Sequence, residues 1–409
     1  MPPRRAPARA ARTTAARTSA ARKTAKRDAA PRDALIVTAP GLEPLARREL
    51  AALGIAVTGE EPGAVSASLT PRDVMRCNLH LRTASRVLVR LAQFKALTFA
   101  DVEKHGRRVA WDTVVTSGRR VRFRVTCRKS RLYHSGAVAE RLMDALALKV
   151  PGVVAAGPAG DDDDEGGGEQ LFVVRLFRDQ VVVSADASGE LLHRRGYRKA
   201  TAKAPLRETL AAAMVLGAGW EGRTPLVDPM CGSGTIAIEA AMLARRMAPG
   251  RARSFAFEQW PGHDAALWRT VRALANSAEL PAAGVPILAS DRDAGAVDAA
   301  HANAARAGVA ADVVIVQQSL SAVVPPAAPG LVVVNPPYGI RVGDKAPLRN
   351  LFAQLGNVVR ACPGWRLAML SADRDLERQV QLPFTEAWKS TNGGIPIRLV
   401  TTEAATDGK

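Results

Sequence analysis

The sequence predicts two folded parts of different class: a doubly wound α/β sheet over residues 206–409 and an α+β unit ahead of it. Three observations carry this. From Leu206 onward, apolar runs of strand length alternate with runs of helix length, the pattern of a parallel sheet with helices on both faces. Before that point, strand-like and helical runs mix without such alternation. The chain has 409 residues, 47% hydrophobic and 23% charged, which gives two or three domains enough apolar surface for their own cores.

The elements follow in order. Residues 1–33 hold ten Lys/Arg and two acids, so they carry +8 of a net +18, and no Leu, Ile, Val or Phe precedes Leu35. Such a segment cannot bury enough apolar surface to offset the entropy of ordering, and it reads as a disordered basic tail. An organellar transit peptide is the other reading, but this tail offers only Ala for an apolar helix face. Residues 34–74 read as a small ferredoxin-like part. It starts with a strand at Leu35–Thr38 and a helix over Leu42–Leu53 that stops at Gly54, a left-handed cap position. A strand at 64–69, a helix near 71–81 and a strand at 87–92 follow.

Residues 75–187 form the next unit. Val121-Arg-Phe-Arg-Val-Thr alternates apolar with mostly basic residues, a half-buried strand with a cationic face. A helix at 136–148 and a hairpin over 171–176 and 180–186 complete it, with the acidic, Gly-rich stretch 161–168 read as a solvated loop. A linker, 188–205, leads into the α/β part. Its strands fall at 225–227, 285–290, 313–316, 331–334 and 365–370, and its helices near 235–247, 294–307 and 348–361. A final hairpin, 385–390 and 395–401 around Asn392-Gly-Gly, brings the sheet to seven strands.

Two motifs sit where such sheets do chemistry. Asp228-Pro229-Met230-Cys231-Gly232-Ser233-Gly234-Thr235 joins the first strand to the first helix, where an open sheet binds nucleotides, and its glycines let a ligand approach bare backbone. The fragment also fits a dinucleotide fingerprint. However, an acid precedes the glycines, and the next strand-end acid, Asp291, lies 57 residues beyond Gly234 instead of about 20. Asp291 can accept both hydroxyls of a ribose, or can merely cap; Asp293 suits the cap of the next helix. The second motif, Asn335-Pro336-Pro337-Tyr338-Gly, ends the strand 331–334. The Asn335 side-chain oxygen and the Pro336 carbonyl could accept the two N–H groups of an exocyclic base amine, while Tyr338 stacks on the flipped base.

These motifs resemble the class I S-adenosylmethionine-dependent amino-methyltransferases, with their Rossmann-like seven-stranded sheet. His193-Arg-Arg-Gly-Tyr-Arg and Ala204-Pro-Leu-Arg-Glu-Thr narrow the resemblance to THUMP-containing RNA guanine-N2 methyltransferases of bacterial 23S ribosomal RNA. The resemblance covers residues 35 to about 400. It implies that 75–187 is a THUMP RNA-binding domain and that Pro205 to Thr209 line the cofactor pocket. Asp291 would hold the ribose, Ser319 would stand near the adenine, and Asn335 to Tyr338 would hold the target amine. The family usually carries an acid or amide after the third strand, near the adenine, where this chain has Gln317-Gln-Ser319, and the chain carries one methyltransferase domain where the best-known members carry two.

The charge predicts a polyanionic partner. Candidate RNA contacts are Arg120, Arg122, Arg124, Arg128, Lys129 and Arg131 in the THUMP-like part, and Arg194, Arg195, Arg198 and Lys199 in the linker. No stretch has the roughly 20 apolar residues of a membrane helix, so a membrane partner is not expected. Cys77, Cys127, Cys231 and Cys362 have neither zinc nor disulfide spacing, and the six histidines form no metal set; Cys231 reads as a small packed residue. The expectation is a metal-free, monomeric, cytoplasmic enzyme on large-subunit rRNA. Transfer RNA guanine-N2, adenine N6 and a non-catalytic RNA-binding assembly factor remain the alternatives, with a nicotinamide dehydrogenase last.

Overall fold

A computed structural model describes residues 30–157, 168–199, 206–326, 329–337 and 346–404. The N-terminal part runs β1 (Arg32–Thr38), α1 (Glu43–Ala52), β2 (Val57–Glu61), β3 (Ala64–Leu69), α2 (Pro71–His80) and β4 (Ala84–Lys95). Local chemistry sets these ends. Gly54, at φ +70°, lets the amides of Gly54 and Ile55 turn back onto Ala51 and Leu50 and close α1. Thr70 and Asp73 form a reciprocal capping box at the start of α2, with Pro71 in its first turn. The chain continues through α3 (Phe99–Gly106), β5 (Arg120–Arg128), α4 (Ser135–Lys149), β6 (Val154–Ala155), β7 (Gln170–Phe177) and β8 (Gln180–Asp186).

These strands make one eight-stranded sheet in the order β2-β3-β1-β4-β8-β7-β5-β6. β4 is the seam, pairing with β1 on one side and β8 on the other. A boundary at residue 74 therefore falls inside α2, and the ferredoxin-like and following parts share a strand. Across the seam, Arg86 and Asp186 form a buried ion pair, and Arg86 also donates to the Gly189 carbonyl at 2.6 Å.

The C-terminal part contains α5 (Glu208–Gly217), β9 (Leu226–Asp228), α6 (Thr235–Ala244), α7 (Ala265–Ser277), β10 (Ile287–Asp291), α8 (Ala294–Ala307) and β11 (Val314–Gln317). It ends with β12 (Leu331–Val334), α9 (Ala346–Arg360), β13 (Arg366–Ser371), α10 (Arg374–Gln379) and the hairpin β14 (Thr385–Asn392) and β15 (Ile395–Thr401). The seven strands lie in the order β11-β10-β9-β12-β13-β15-β14. The first five are parallel, with β15 antiparallel to both neighbours. The chain builds outward from β9 to β11, then returns to place β12 on the other side of β9. That reversal is the switch point where open α/β sheets bind ligands.

The two parts are packed together. Phe255, Phe257, Trp268, Val271 and Ala275 of the C-terminal part share one core with Ile36, Leu50, Val65 and Leu79 of the first sheet. Each such large side chain contributes about 1.5–3 kcal/mol by leaving water, so the joint is stabilised as a core is.

Candidate active site

Strand register places the two motifs. Asp228 pairs with Ala289 on β10, so Asp291 lies two residues beyond the level of Asp228. Val227 pairs with Val332 on β12, which puts Asn335 two residues beyond that same level on the opposite flank. Two strand spacings separate β10 from β12, so Asp291 and Asn335 stand about 10 Å apart across the glycine loop. The parallel topology thus gathers three expected site positions at one sheet edge.

The loop is held from beneath. The Cys231 amide donates to the Ser290 carbonyl at 2.9 Å, Gly232 N–H donates to Asp291 Oδ2 at 2.9 Å, and Asn303 Nδ2 of α8 donates to the Ser233 carbonyl at 3.0 Å. The two glycines divide the work. A Cβ on Gly234 would come within 3.0 Å of Ala300, so this glycine admits α8 against the start of α6. A Cβ on Gly232, at φ +52°, would meet nothing within 4 Å, so bare backbone faces open space there.

Asp228 is buried, and only one of its oxygens is engaged: Oδ1 accepts weakly from the Met230 amide at 3.4 Å, while Oδ2 has no hydrogen-bond partner. Burial pushes its carboxyl up to about 8; the Met230 amide opposes this and the Asp291 charge adds to it. A half-satisfied buried acid beneath an open glycine loop suits a cationic ligand, whose charge would restore the carboxylate. Asp291 is half-buried and anchored by Gly232 N–H and by the Asp293 amide at 3.0 Å. Asp293 itself caps α8 through the Ala296 amide at 2.8 Å. Cys231 is buried, its thiol pushed up by burial, which leaves it no nucleophile.

The remaining site positions distribute as follows. Asn335 is half-buried, Pro336 buried and Pro337 exposed at the end of β12. Pro229, Ser233 and Thr235 are buried within the loop, and Met230 is half-buried. Thr209 is buried in the first turn of α5, beside Glu208, whose carboxyl burial pushes up to about 7 against the pull of Arg198. Ser319 is exposed just past β11, with its hydroxyl 2.9 Å from that of Ser321. Pro205 and Tyr338 lie outside the described residues. Among those residues, no three His, Cys, Asp or Glu side chains gather as a metal-ligand set.

Two of the expected RNA contacts are instead structural. Arg195 is buried, donating to the carbonyls of Leu192 and Arg82, each at 2.5 Å, with its Nε 3.5 Å from Glu239. Arg198 bridges Glu208 at 3.1 Å and the Leu206 carbonyl at 2.7 Å. The basic run 194–199 reads as one surface patch in sequence, but two of its arginines turn inward to meet buried acids. Arg122 is half-buried and paired with Glu169. Arg120, Arg128, Lys129, Arg131 and Lys199 are exposed, and Arg124 and Arg194 half-buried.

Sequence reasoning missed the group that receives Arg195. Glu239, on α6 one turn after the loop, accepts from Tyr197 Oη at 3.1 Å and faces Arg82 of the N-terminal part at 3.8 Å. Its signal is legible in retrospect: a lone acid in the otherwise apolar run Thr235–Ala244 must find a buried partner.

The sheet order and the loop with its half-satisfied acid define an α/β methyltransferase fold. Residues 195–401 match the family model "RMKL-like, methyltransferase domain" (UPF0020), and residues 33–88 match "RlmL ferredoxin-like domain"; the chain belongs to this family. It is 36% identical over 371 residues to "Ribosomal RNA large subunit methyltransferase K/L" of Alteromonas mediterranea, covering 89% of this chain and 53% of that protein. It therefore spans about half the length of such K/L relatives. It is 31% identical to "Putative RNA methyltransferase slr0064" of Synechocystis, covering 88% of this chain and 94% of the other. The solved structure of SMU.472, "a putative methyltransferase complexed with SAH", superposes with a TM-score of 0.82 at 28% identity, covering 92% of this chain and 98% of that one.

Proposed function

We propose that this chain transfers a methyl group from S-adenosylmethionine to the exocyclic N2 of a guanine in large-subunit ribosomal RNA. The observation that carries the reading is the placement of the glycine loop and Asn335 on adjacent strands at the switch point, with a half-satisfied acid beneath the loop. When bound, the cofactor supplies an electrophilic methyl on a sulfonium sulfur. Gly232 offers bare backbone to it, Asp291 accepts from the ribose hydroxyls, and Asp228 answers its positive charge. The Asn335 side-chain oxygen and the Pro336 carbonyl accept the N–H groups of the target amine, favouring a more tetrahedral nitrogen and absorbing charge as it attacks. The proton released from the methylated amine passes to these acceptors or to water.

The names of the K/L relatives support a large-subunit rRNA substrate, and the exposed cations of β5 and the loop after it support RNA. On this reading the part of the first sheet that follows the ferredoxin-like strands, up to residue 187, is a THUMP-type RNA-binding unit, the enzyme works as a monomer without metal, and its place is the cytoplasm. The test is methyl transfer to RNA by the purified full chain, followed by nucleoside analysis of the product. Asn335→Ala should lower transfer by at least about a hundredfold while cofactor binding, followed by calorimetry, stays within about twofold. Unchanged transfer by that variant would remove Asn335 from its role; N6-methyladenosine as product would replace guanine N2 by adenine N6.

A further inference from the structure

Aromatic side chains are scarce in this chain, nine Phe, six Trp and three Tyr, and those described mostly serve its cores. Among the described residues, Tyr133 at 72% exposure and Phe177 at 48% are the only Phe, Trp or Tyr rings left standing in solvent. Both lie at one end of the first sheet. Phe177 ends β7 directly beside Arg128, the last residue of β5, in the parallel register of those strands. Tyr133 follows two residues after Arg131, so its Cα lies within about 7 Å of that arginine's.

The surface is built, not frayed. Arg131 N–H donates to Asp179 Oδ1 at 2.8 Å, the Asp179 amide donates to Ser130 Oγ at 3.1 Å, and Ser130 Oγ donates to the Arg128 carbonyl at 3.0 Å. Leu132 is buried in the core beneath, so its neighbour Tyr133 is held outward. Among the described residues, three of the five non-glycine positions with left-handed backbone, Lys129, Arg178 and Asp179, occupy these two turns. Each costs about 1 kcal/mol or more and persists because the surrounding bonds impose it. The outcome is four exposed cations, Arg128, Lys129, Arg131 and Arg178, around two exposed rings. The one acid in these turns, Asp179, is engaged by the Arg131 amide. The Arg178 guanidinium lies 5.2 Å over the Phe177 ring, and the His134 ring lies 4.1 Å from that of Tyr133.

We infer that this end of the sheet is a docking platform for unpaired nucleotides of the RNA substrate. Tyr133 and Phe177 stack on bases, and the four cations hold the flanking phosphates. Charge alone attracts any polyanion. Exposed rings between the charges select single strands, because the base faces of a duplex are already stacked on one another. β8 runs from this end to the joint with the catalytic half, so the platform stands about 20 Å from that joint and leaves the methyl-transfer site clear. This inference rests on the RNA reading above and specifies which form of RNA is gripped.

The test uses the full chain and a labelled single-stranded RNA of about 12 nucleotides, with a blunt duplex of equal length as competitor. The parent should prefer the single strand. Tyr133→Ala and Phe177→Ala should each weaken it at least about fivefold, with Tyr133→Phe close to the parent, since one stacked base contributes about 1 kcal/mol or more. S-adenosylmethionine binding by the same preparations should not change. Equal single-strand affinity for parent and both alanine variants, preference for the duplex, or tighter binding to anionic phospholipid vesicles than to RNA would overturn the platform. Methyl transfer to RNA that persists alongside any of those results would leave the enzymatic reading intact, whereas a parent that binds neither form of RNA would defeat both.

Discussion

Asp228 shows how one residue can be both a weakness and an instrument. Its folded carboxyl sits near 8, well above the roughly 3.9 of an unfolded aspartate. In the window between those values the folded state holds a proton that the unfolded state has released. Its contribution to stability is therefore complete below about pH 4 and is lost progressively up to about pH 8. The empty protein should show a falling Tm across that range. Asp228→Asn should flatten the fall and gain at least about 1.4 kcal/mol at pH 8, a roughly tenfold change in the folding equilibrium, while binding S-adenosylmethionine more weakly. Thermal denaturation across pH, with and without cofactor, checks both; a variant less stable than the parent at pH 8 would count against the buried-charge account. The same scale separates the arginines. Arg195→Ala breaks a buried pairing and should cost about 3–5 kcal/mol of stability, whereas Arg128→Ala should leave Tm alone and lower the salt dependence of RNA binding by about one contact. Both are arginines in basic runs, and sequence gives them the same reading. Only the fold shows that one faces Glu239 and the other faces water.

At the scale of elements, α6 and α8 form the clamp behind the glycine loop. Asn303 is buried in α8, donates to the Ser233 carbonyl, and is held in turn by Arg306, whose Nε also donates to the Tyr197 carbonyl at 2.7 Å. Asn303→Ala would leave a buried loop carbonyl without its donor, at about 1–3 kcal/mol. The loop's grip should weaken accordingly: calorimetry should show a rise of about fivefold or more in the Kd for S-adenosylmethionine, with RNA affinity unchanged. The elements themselves were largely legible. β9–β13 are short apolar runs, and α8 and the hairpin β14–β15 carry Asp293 and Gly393-Gly394 as explicit punctuation. β2, α3, β6, α5, α7 and α10 were not read from the sequence, two of them for a plain physical reason. α5 is buried on nearly every side and shows no amphipathic period, and β6 is only two residues long. α7 did carry a signal, Asp264 at its cap with Trp268, Val271 and Ala275 on one face. The positions of Asp228, Gly232, Gly234, Asp291 and Asn335 were legible because each stands at a strand end or turn. Glu239, Arg82 and Asn303 act through tertiary contacts that no local pattern announces.

The whole molecule is two sheets joined by a common core and by the buried group Arg82, Arg195, Tyr197 and Glu239. Such a joint should unfold with the domains rather than before them, so calorimetry of the full chain should give one dominant transition; two well-separated transitions would show the joint to be weaker than its core implies. The net charge of +18 now divides by role. Some arginines hold this joint together, others stand on the surface around Tyr133 and Phe177, and +8 lies in residues 1–33. The central claim is a guanine-N2 methyl transfer to ribosomal RNA. It is tested most directly by mass spectrometry of nucleosides from separated ribosomal and transfer RNA of a strain lacking this protein. The account predicts loss of N2-methylguanosine from the large-subunit RNA alone, restored by the parent chain and not by Asn335→Ala. Unchanged N2-methylguanosine there, or loss of N6-methyladenosine in its place, would contradict it.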